Sequence, residues 1–249
     1  MKHLIEKLKY LNKEFNVIGI KQSTEDEGAL YSDILTMRRI TELCGLKLSV
    51  KIGGCEAKND INFCNKIYSD GIVAPMIESK FALQKFIESV AHLKDIKFYI
   101  NIESKTAFEN LKQILETPSS KLLSGVVIGR SDLTKSFGFG KDYVDSKEMH
   151  KVVEEILILC KNYNIDTLMG GNISLKSIDF IKYLFNKNLL NYVESRNIII
   201  KLTDTKTINP NMIKSILVFE SDWLQYKASY YNDIGNEYTN RSSLILNRF

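Results

Sequence analysis

This chain of 249 residues has only three prolines, Pro75, Pro118 and Pro210, and no low-complexity tract. That scarcity excludes a Pro-rich linker and argues for a single domain over 1–249. Cysteine is also sparse. Cys44, Cys55, Cys64 and Cys160 form no CxxC pair, and no histidine stands at zinc-finger spacing from them. A structural zinc site therefore has no ligand set to draw on, and free thiols in a reducing, cytoplasmic compartment are expected. No apolar run reaches the length of a membrane span, and the first nine residues mix charges too closely for a secretory leader. Neither sign of charge dominates: 34 basic and 30 acidic residues leave a net +4. That surplus is too small and too evenly spread for a nucleic-acid partner, though a small anionic substrate needs only a few placed cations.

What is present is alternation. Short apolar, β-rich runs at 17–21, 46–52, 71–77, 97–103, 122–130, 166–170, 192–194 and 197–202 predict strands. The segments 30–44, 56–68, 80–93, 105–116, 146–162 and 174–185 predict helices. Near-continuous apolar strands between helices predict a parallel sheet covered on both faces. About eight such units, with no Gly-rich dinucleotide fingerprint after the first strand, favour an α/β fold of the (β/α)₈ TIM-barrel type over an open Rossmann sheet. The barrel is expected over about 15–205. A C-terminal helical segment follows over about 209–249, where Ile213, Ile216, Phe219, Trp223, Tyr226 and Tyr230 recur at helical spacing. That stripe predicts a helix closing the barrel, an oligomer contact, or both.

The strand ends of such a barrel meet on one face, where chemistry sits. Glu103 and Asp132 carry the strongest signal there. Glu103 closes the apolar run 98–102, and Asp132 follows Gly125-Val126-Val127-Ile128-Gly129-Arg130-Ser131. Two carboxylates converging at adjacent strand ends suit a hard divalent cation. Lys21 and Lys51 add cations at the first and second strand ends, and Arg130 adds one beside Asp132 after the fifth. The pairs Gly53-Gly54 and Gly170-Gly171 read as turns, or as backbone N–H groups offered to a substrate carboxylate or phosphate. Glu78 reads as a helix cap, and Glu194 with Arg196 as an ion pair.

Three segments in this order also resemble the HpcH/HpaI aldolase and citrate lyase β-subunit family of phosphoenolpyruvate/pyruvate-type barrels. They are Ala74-Pro75-Met76-Ile77-Glu78, Asn101-Ile102-Glu103-Ser104, and Val127-Ile128-Gly129-Arg130-Ser131-Asp132-Leu133-Thr134. The resemblance runs from about Val17 to Leu202. It implies that Glu103 and Asp132 bind Mg²⁺ or Mn²⁺, and that a 2-oxo acid or its enolate is held on that metal. It implies a metal-dependent carbon–carbon lyase or aldolase acting on a pyruvate-like unit, with a 2-oxo acid or acyl compound as substrate and a homo-oligomer as the assembly. It also implies that Lys51 occupies the place of the family's arginine, keeping the charge but not the bidentate fork.

One family feature is missing. The loop Lys21-Gln22-Ser23-Thr24-Glu25-Asp26-Glu27-Gly28 has no histidine, and the chain's three histidines, His3, His92 and His150, lie elsewhere. His92 and His150 fall in predicted helices and read as surface residues. Proton transfer is left to Lys21, Glu25, Glu27 or a metal-bound water. A mutase or hydrolase of a keto acid or phosphoenolpyruvate-like substrate, and a catalytically inactive barrel subunit, are the alternatives.

Overall fold

The computed structural model describes residues 1–25 and 28–248. Eight strands, β1 (Val17–Ser23), β2 (Lys47–Lys51), β3 (Gly71–Ala74), β4 (Lys97–Ile102), β5 (Gly125–Gly129), β6 (Asp166–Gly170), β7 (Tyr192–Glu194) and β8 (Ile198–Lys201), close in sequence order into one barrel. Helix α1 (Lys2–Phe15) precedes β1. The strands β1 to β6 are each followed by wall helices: α2 (Tyr31–Cys44), α3 (Lys58–Lys66), α4 (Lys80–Val90), α5 (Lys105–Leu115), α6 (Arg130–Ser136) with α7 (Lys147–Asn162), and α8 (Ile178–Asn186). Helix α9 (Pro210–Leu246) ends the chain. The fold is the expected α/β barrel with its C-terminal helix.

Local chemistry explains the sharp strand-to-helix joints. Ser79 caps α4 by accepting the Ala82 N–H, and Ser104 caps α5 by accepting the Ala107 N–H, each at 3.1 Å. Ser104 follows Glu103 directly, so the cap ends the strand and holds Glu103 at the barrel rim. Two helices were not expected. In α1, Leu4, Leu8, Leu11 and Phe15 recur at helical spacing and are all buried. Helix α6 occupies only seven residues, too short for periodicity to reveal. The fifth strand is shorter than its apolar run because Pro118 opens a 3₁₀ turn through Leu122.

Side chains alternate across each strand. On β4, Phe98, Ile100 and Ile102 join the helix-facing core, while Tyr99 and Asn101 turn inward. Val73, Val127, Leu168 and Ile199 form an apolar layer inside the barrel. Below it lies a hollow of about 60 Å³ bordered by Lys47, Asp70, Lys97 and Tyr99. Above it, at the C-terminal strand ends, lies a cavity of about 400 Å³. Only the upper one has the volume of a small-molecule site.

One expectation is corrected. Strands β1 to β7 are parallel, but β8 runs antiparallel to both β7 and β1. Only Ser195, Arg196 and Asn197 separate β7 from β8. A parallel return needs a dozen or more residues, so three can only make a hairpin. The hairpin is clamped from α9. Glu220 accepts from Ser195 Oγ at 2.5 Å and from the Asn197 N–H at 2.7 Å.

Because β8 brings the chain back to the N-terminal face, α9 climbs the wall towards the cavity end. Its 37 residues span about 55 Å. Phe219 and Trp223 are buried on the chain's own barrel. Further along, Lys227 and Tyr231 reach Asp33 in the first turn of α2 at 2.8 and 2.6 Å. Tyr230 is exposed, so the aromatic stripe divides between core and surface. Among the described residues, no helix is long and apolar enough to cross a membrane.

Candidate active site

The upper cavity is floored by inward-facing residues of strands far apart in sequence. Lys21 comes from β1, Lys51 from β2, Asn101 from β4, Glu103 from just past β4, and Glu194 from β7. Ser131 and Asp132 enter from the first turn of α6, and Gly171, Asn172 and Arg196 complete part of the rim. Glu103 and Asp132, the two carboxylates expected to converge, share this cavity.

Glu103 is held on three sides. Its Oε2 accepts from Asn101 Nδ2 at 2.9 Å and faces Lys51 Nζ at 3.2 Å, and its Oε1 accepts the Met76 N–H at 3.1 Å. Met76 adopts the left-handed region, φ +52°, a costly conformation for a residue with a Cβ. That conformation accompanies the N–H directed at the carboxylate, which is how strain gathers at working sites. Gly129 completes the fit: a Cβ there would sit 2.9 Å from both Cβ and Oε2 of Glu103. Glu103 is 3% exposed and the Lys51 side chain 10%. A buried ion pair is rarely retained for stability alone, because desolvation offsets most of its attraction. Asn101 Oδ1 is buried and lacks a hydrogen-bond partner among the described residues, an acceptor oxygen left over beside Glu103.

A second buried pair stands on the same floor. Lys21 Nζ donates to Glu194 Oε1. Glu194 thus pairs with Lys21 and not, as expected, with its neighbour Arg196, which is exposed at the tip of the hairpin. Gly170 provides the space, since a Cβ there would meet Glu194 Cγ at 2.8 Å and Oε1 at 2.9 Å. Around the barrel the order is Glu194, Lys21, Lys51, Glu103.

The family model for HpcH/HpaI aldolase/citrate lyase matches residues 32–176, more than half of the chain and the stretch that carries both Glu103 and Asp132. The chain belongs to the HpcH/HpaI aldolase/citrate lyase family. This is a family of aldolase and lyase enzymes that generally use divalent metals. No curated protein matches the chain at a significant level. Among solved structures, the fold is similar to that of the citrate synthase SbnG, at 12% identity and a TM-score of 0.63, over 89% of this chain and 90% of that one. It is also similar to an HpcH/HpaI aldolase from Desulfitobacterium hafniense DCB-2, at 11% identity and a TM-score of 0.62, over 78% and 82%. RipC from Yersinia pestis is 18% identical with a TM-score of 0.53, over 80% and 86%. At these identities the likeness is one of fold.

In this HpcH/HpaI barrel several residues expected at the substrate are occupied otherwise. Arg130 points away from the cavity and is fully buried. Its guanidinium donates to the carbonyls of Gly170 and Gly171 at 3.2 and 3.1 Å, to Ser177 Oγ at 3.1 Å and to Asp145 at 2.7 Å. It fastens the loop after β6 to the start of α6. Arg130→Met would leave the largely buried Asp145 without this cation, so a loss of about 3–5 kcal/mol is expected, read as a lower urea midpoint. An unchanged midpoint would show that this network contributes nothing.

The glycine pairs divide. Gly171 borders the cavity at φ +81°, packed so closely that a Cβ would lie 2.5 Å from the Ser131 nitrogen. Gly170 serves Glu194 as described. The Gly53 N–H is already given to Asp60 at 2.8 Å, so it is not offered to a substrate. Gly54 does not border the cavity among the described residues. Asp60 also accepts from Thr24 Oγ1 and Tyr31 Oη, each at 2.7 Å, which ties the loop after β1 to the loop after β2. That bond is the main reason the Tyr31 hydroxyl is pushed up to about 12. Glu25 is exposed and rests against Gly53, and Glu27 lies outside the described residues.

Among the described residues that line the cavity there is no histidine. His92 lies in an exposed turn after α4. His150 is half-buried, not a surface residue, and stacks on Phe180 with ring centroids 3.6 Å apart. Glu78 does not cap α4, a role taken by Ser79; its carboxylate accepts from Ser104 Oγ.

Proposed function

We propose that this protein is a divalent-metal-dependent carbon–carbon lyase acting on a 2-oxo acid. The observation that carries this reading is one cavity containing Glu103, Asp132, the unpartnered Asn101 Oδ1 and the buried Lys51 ammonium. The donor set is all oxygen, which fits Mg²⁺ or Mn²⁺ and not a thiolate-seeking metal. Among the described residues, no three His, Cys, Asp or Glu side chains gather closely enough to cage an ion alone. Glu103 and Asp132 would hold it, with Asn101 Oδ1 at hand and other positions left to substrate and water. The cation would supply Lewis-acid charge against the negative charge that builds on a 2-oxo group when the C–C bond between its α and β carbons breaks.

The chain's own residues supply the rest. Lys51, fixed by Glu103, presents a preorganised positive charge beside that oxygen, worth most where water is excluded. Both floor lysines are committed to ion pairs, whereas a Schiff base needs a neutral amine. Gly129 guards the ligand: Gly129→Ala would push Glu103 out of position. It is expected to weaken Mn²⁺ binding about 10–100-fold, measured by calorimetry, and unchanged affinity would assign the ligand role elsewhere.

The direct test incubates the purified protein with Mg²⁺ or Mn²⁺ and a panel of 4-hydroxy-2-oxo acids and hydroxyacyl thioesters. Release of the oxo acid, suppressed by EDTA and restored by metal, is the expected result. A protein that binds Mn²⁺ tightly yet cleaves none of the panel would remove the lyase reading.

A further inference from the structure

The site described so far has a cation and a place for a metal, and no described residue has yet been given the role of carrying the proton. Retro-aldol cleavage needs a proton carrier. A hydroxyl must lose its proton as the C–C bond breaks, and the carbon that inherits the electron pair must gain one. Among the described residues, no histidine borders the cavity, and Glu25 is exposed. Glu103 is held by Lys51, Asn101 and the Met76 N–H.

Glu194 has the required properties. It borders the cavity, is 2% exposed, and stands on β7, three strands around the eight-stranded barrel from β4, next to which Glu103 sits. A substrate anchored beside Glu103 and Asp132 therefore presents its other side to Glu194. The carboxylate is also deliberately accommodated. Gly170 leaves the space that its Cγ and Oε1 fill, and Lys21 holds Oε1. The hairpin that follows Glu194 is clamped by Glu220, which fixes the strand end that carries it. So buried a charge, supported from three elements and facing a cavity, marks a working group more than a structural one.

We propose that Glu194 is the proton carrier of this site, an inference that rests on the lyase reading. In the cleavage direction its carboxylate takes the hydroxyl proton. The C–C electron pair passes to the 2-oxo fragment as an enolate, and the hydroxyl carbon leaves as a carbonyl. The carboxylic acid of Glu194 then returns the proton to the enolate carbon. One proton is taken and one returned, so Glu194 ends as it began.

The same group must exchange the methyl protons of pyruvate, which isolates the step from cleavage. The experiment follows pyruvate with the Mg²⁺-loaded protein in D₂O by proton NMR, and Mn²⁺ affinity by calorimetry. The wild type is expected to exchange methyl protons for deuterium. Glu194→Gln, which keeps the size of the side chain, is expected to slow exchange by at least about 100-fold with Mn²⁺ affinity unchanged. Gly170→Ala keeps every charge and moves only the carboxylate, and is expected to slow exchange at least about tenfold. It also decides the matter if Glu194→Gln fails to fold. Exchange in either folded variant at the wild-type rate would overturn the assignment while leaving the lyase reading intact. A wild type that binds Mn²⁺ and pyruvate yet exchanges nothing would sink both.

Discussion

Glu103→Gln is expected to abolish divalent-cation binding and lower oxo-acid release by at least about 10³-fold. The substitution preserves shape, so the loss reports charge. It also sets donor against donor, because the new amide faces Lys51, Asn101 Nδ2 and the Met76 N–H, all of which now donate to the carboxylate. Lys51 would then lose the Glu103 carboxylate, and breaking a buried ion pair costs about 3–5 kcal/mol. Stability and binding separate in the double variant Lys51→Met/Glu103→Gln. Removing both side-chain charges relieves the clash of donors around the new amide, so the urea midpoint should recover towards wild type while Mn²⁺ binding stays absent. The two effects should be non-additive, as expected for side chains in contact. Wild-type Mn²⁺ affinity in folded Glu103→Gln would dismiss Glu103 as a ligand.

Lys51→Met is expected to lower kcat about 10²-fold, the scale of a lost charge stabiliser, while Mn²⁺ binding survives. Glu103 keeps its bonds from Asn101 and the Met76 N–H in this variant, so the ligand remains seated. Lys51→Arg should restore part of the activity, because the charge returns with a different donor geometry. The alternative role for a lysine at a keto-acid site predicts the reverse pattern. A Schiff-base lysine would give a borohydride-trapped adduct on Lys51 or Lys21 and activity that survives a chelator. Either result would displace the metal-dependent mechanism.

Some of the site is legible in the sequence. Glu103 and Asp132 ended apolar runs, where charge is unexpected, and they do line one cavity with Lys21 and Lys51. The cavity-facing role of Arg130 was read from the same logic and did not hold. An arginine after a strand can turn either way. Which way is settled by acceptors supplied from the loop after β6, from Ser177 and from Asp145, and none of these is local. The hairpin between β7 and β8 was legible in principle, since a connection of three residues excludes a parallel return.

The sequence by itself determined the architecture and the chemistry of the strand ends. Alternating apolar runs and amphipathic helices leave a covered barrel as the economical burial, and strand period decides which residues face inward. The tertiary structure alone decided the pairing. Lys21 and Glu194 lie 173 residues apart in the chain, yet one buried ion pair joins them, whereas Arg196, two residues from Glu194, stands exposed on the cavity rim. Gly129 and Gly170 read as ordinary strand-end glycines until the carboxylates lying over them are seen. The physical reason is common to all of these. A strand end tells which side of the barrel a charge occupies, but its partner and its free space are set by side chains arriving from other strands, and closure of the barrel is what brings those together.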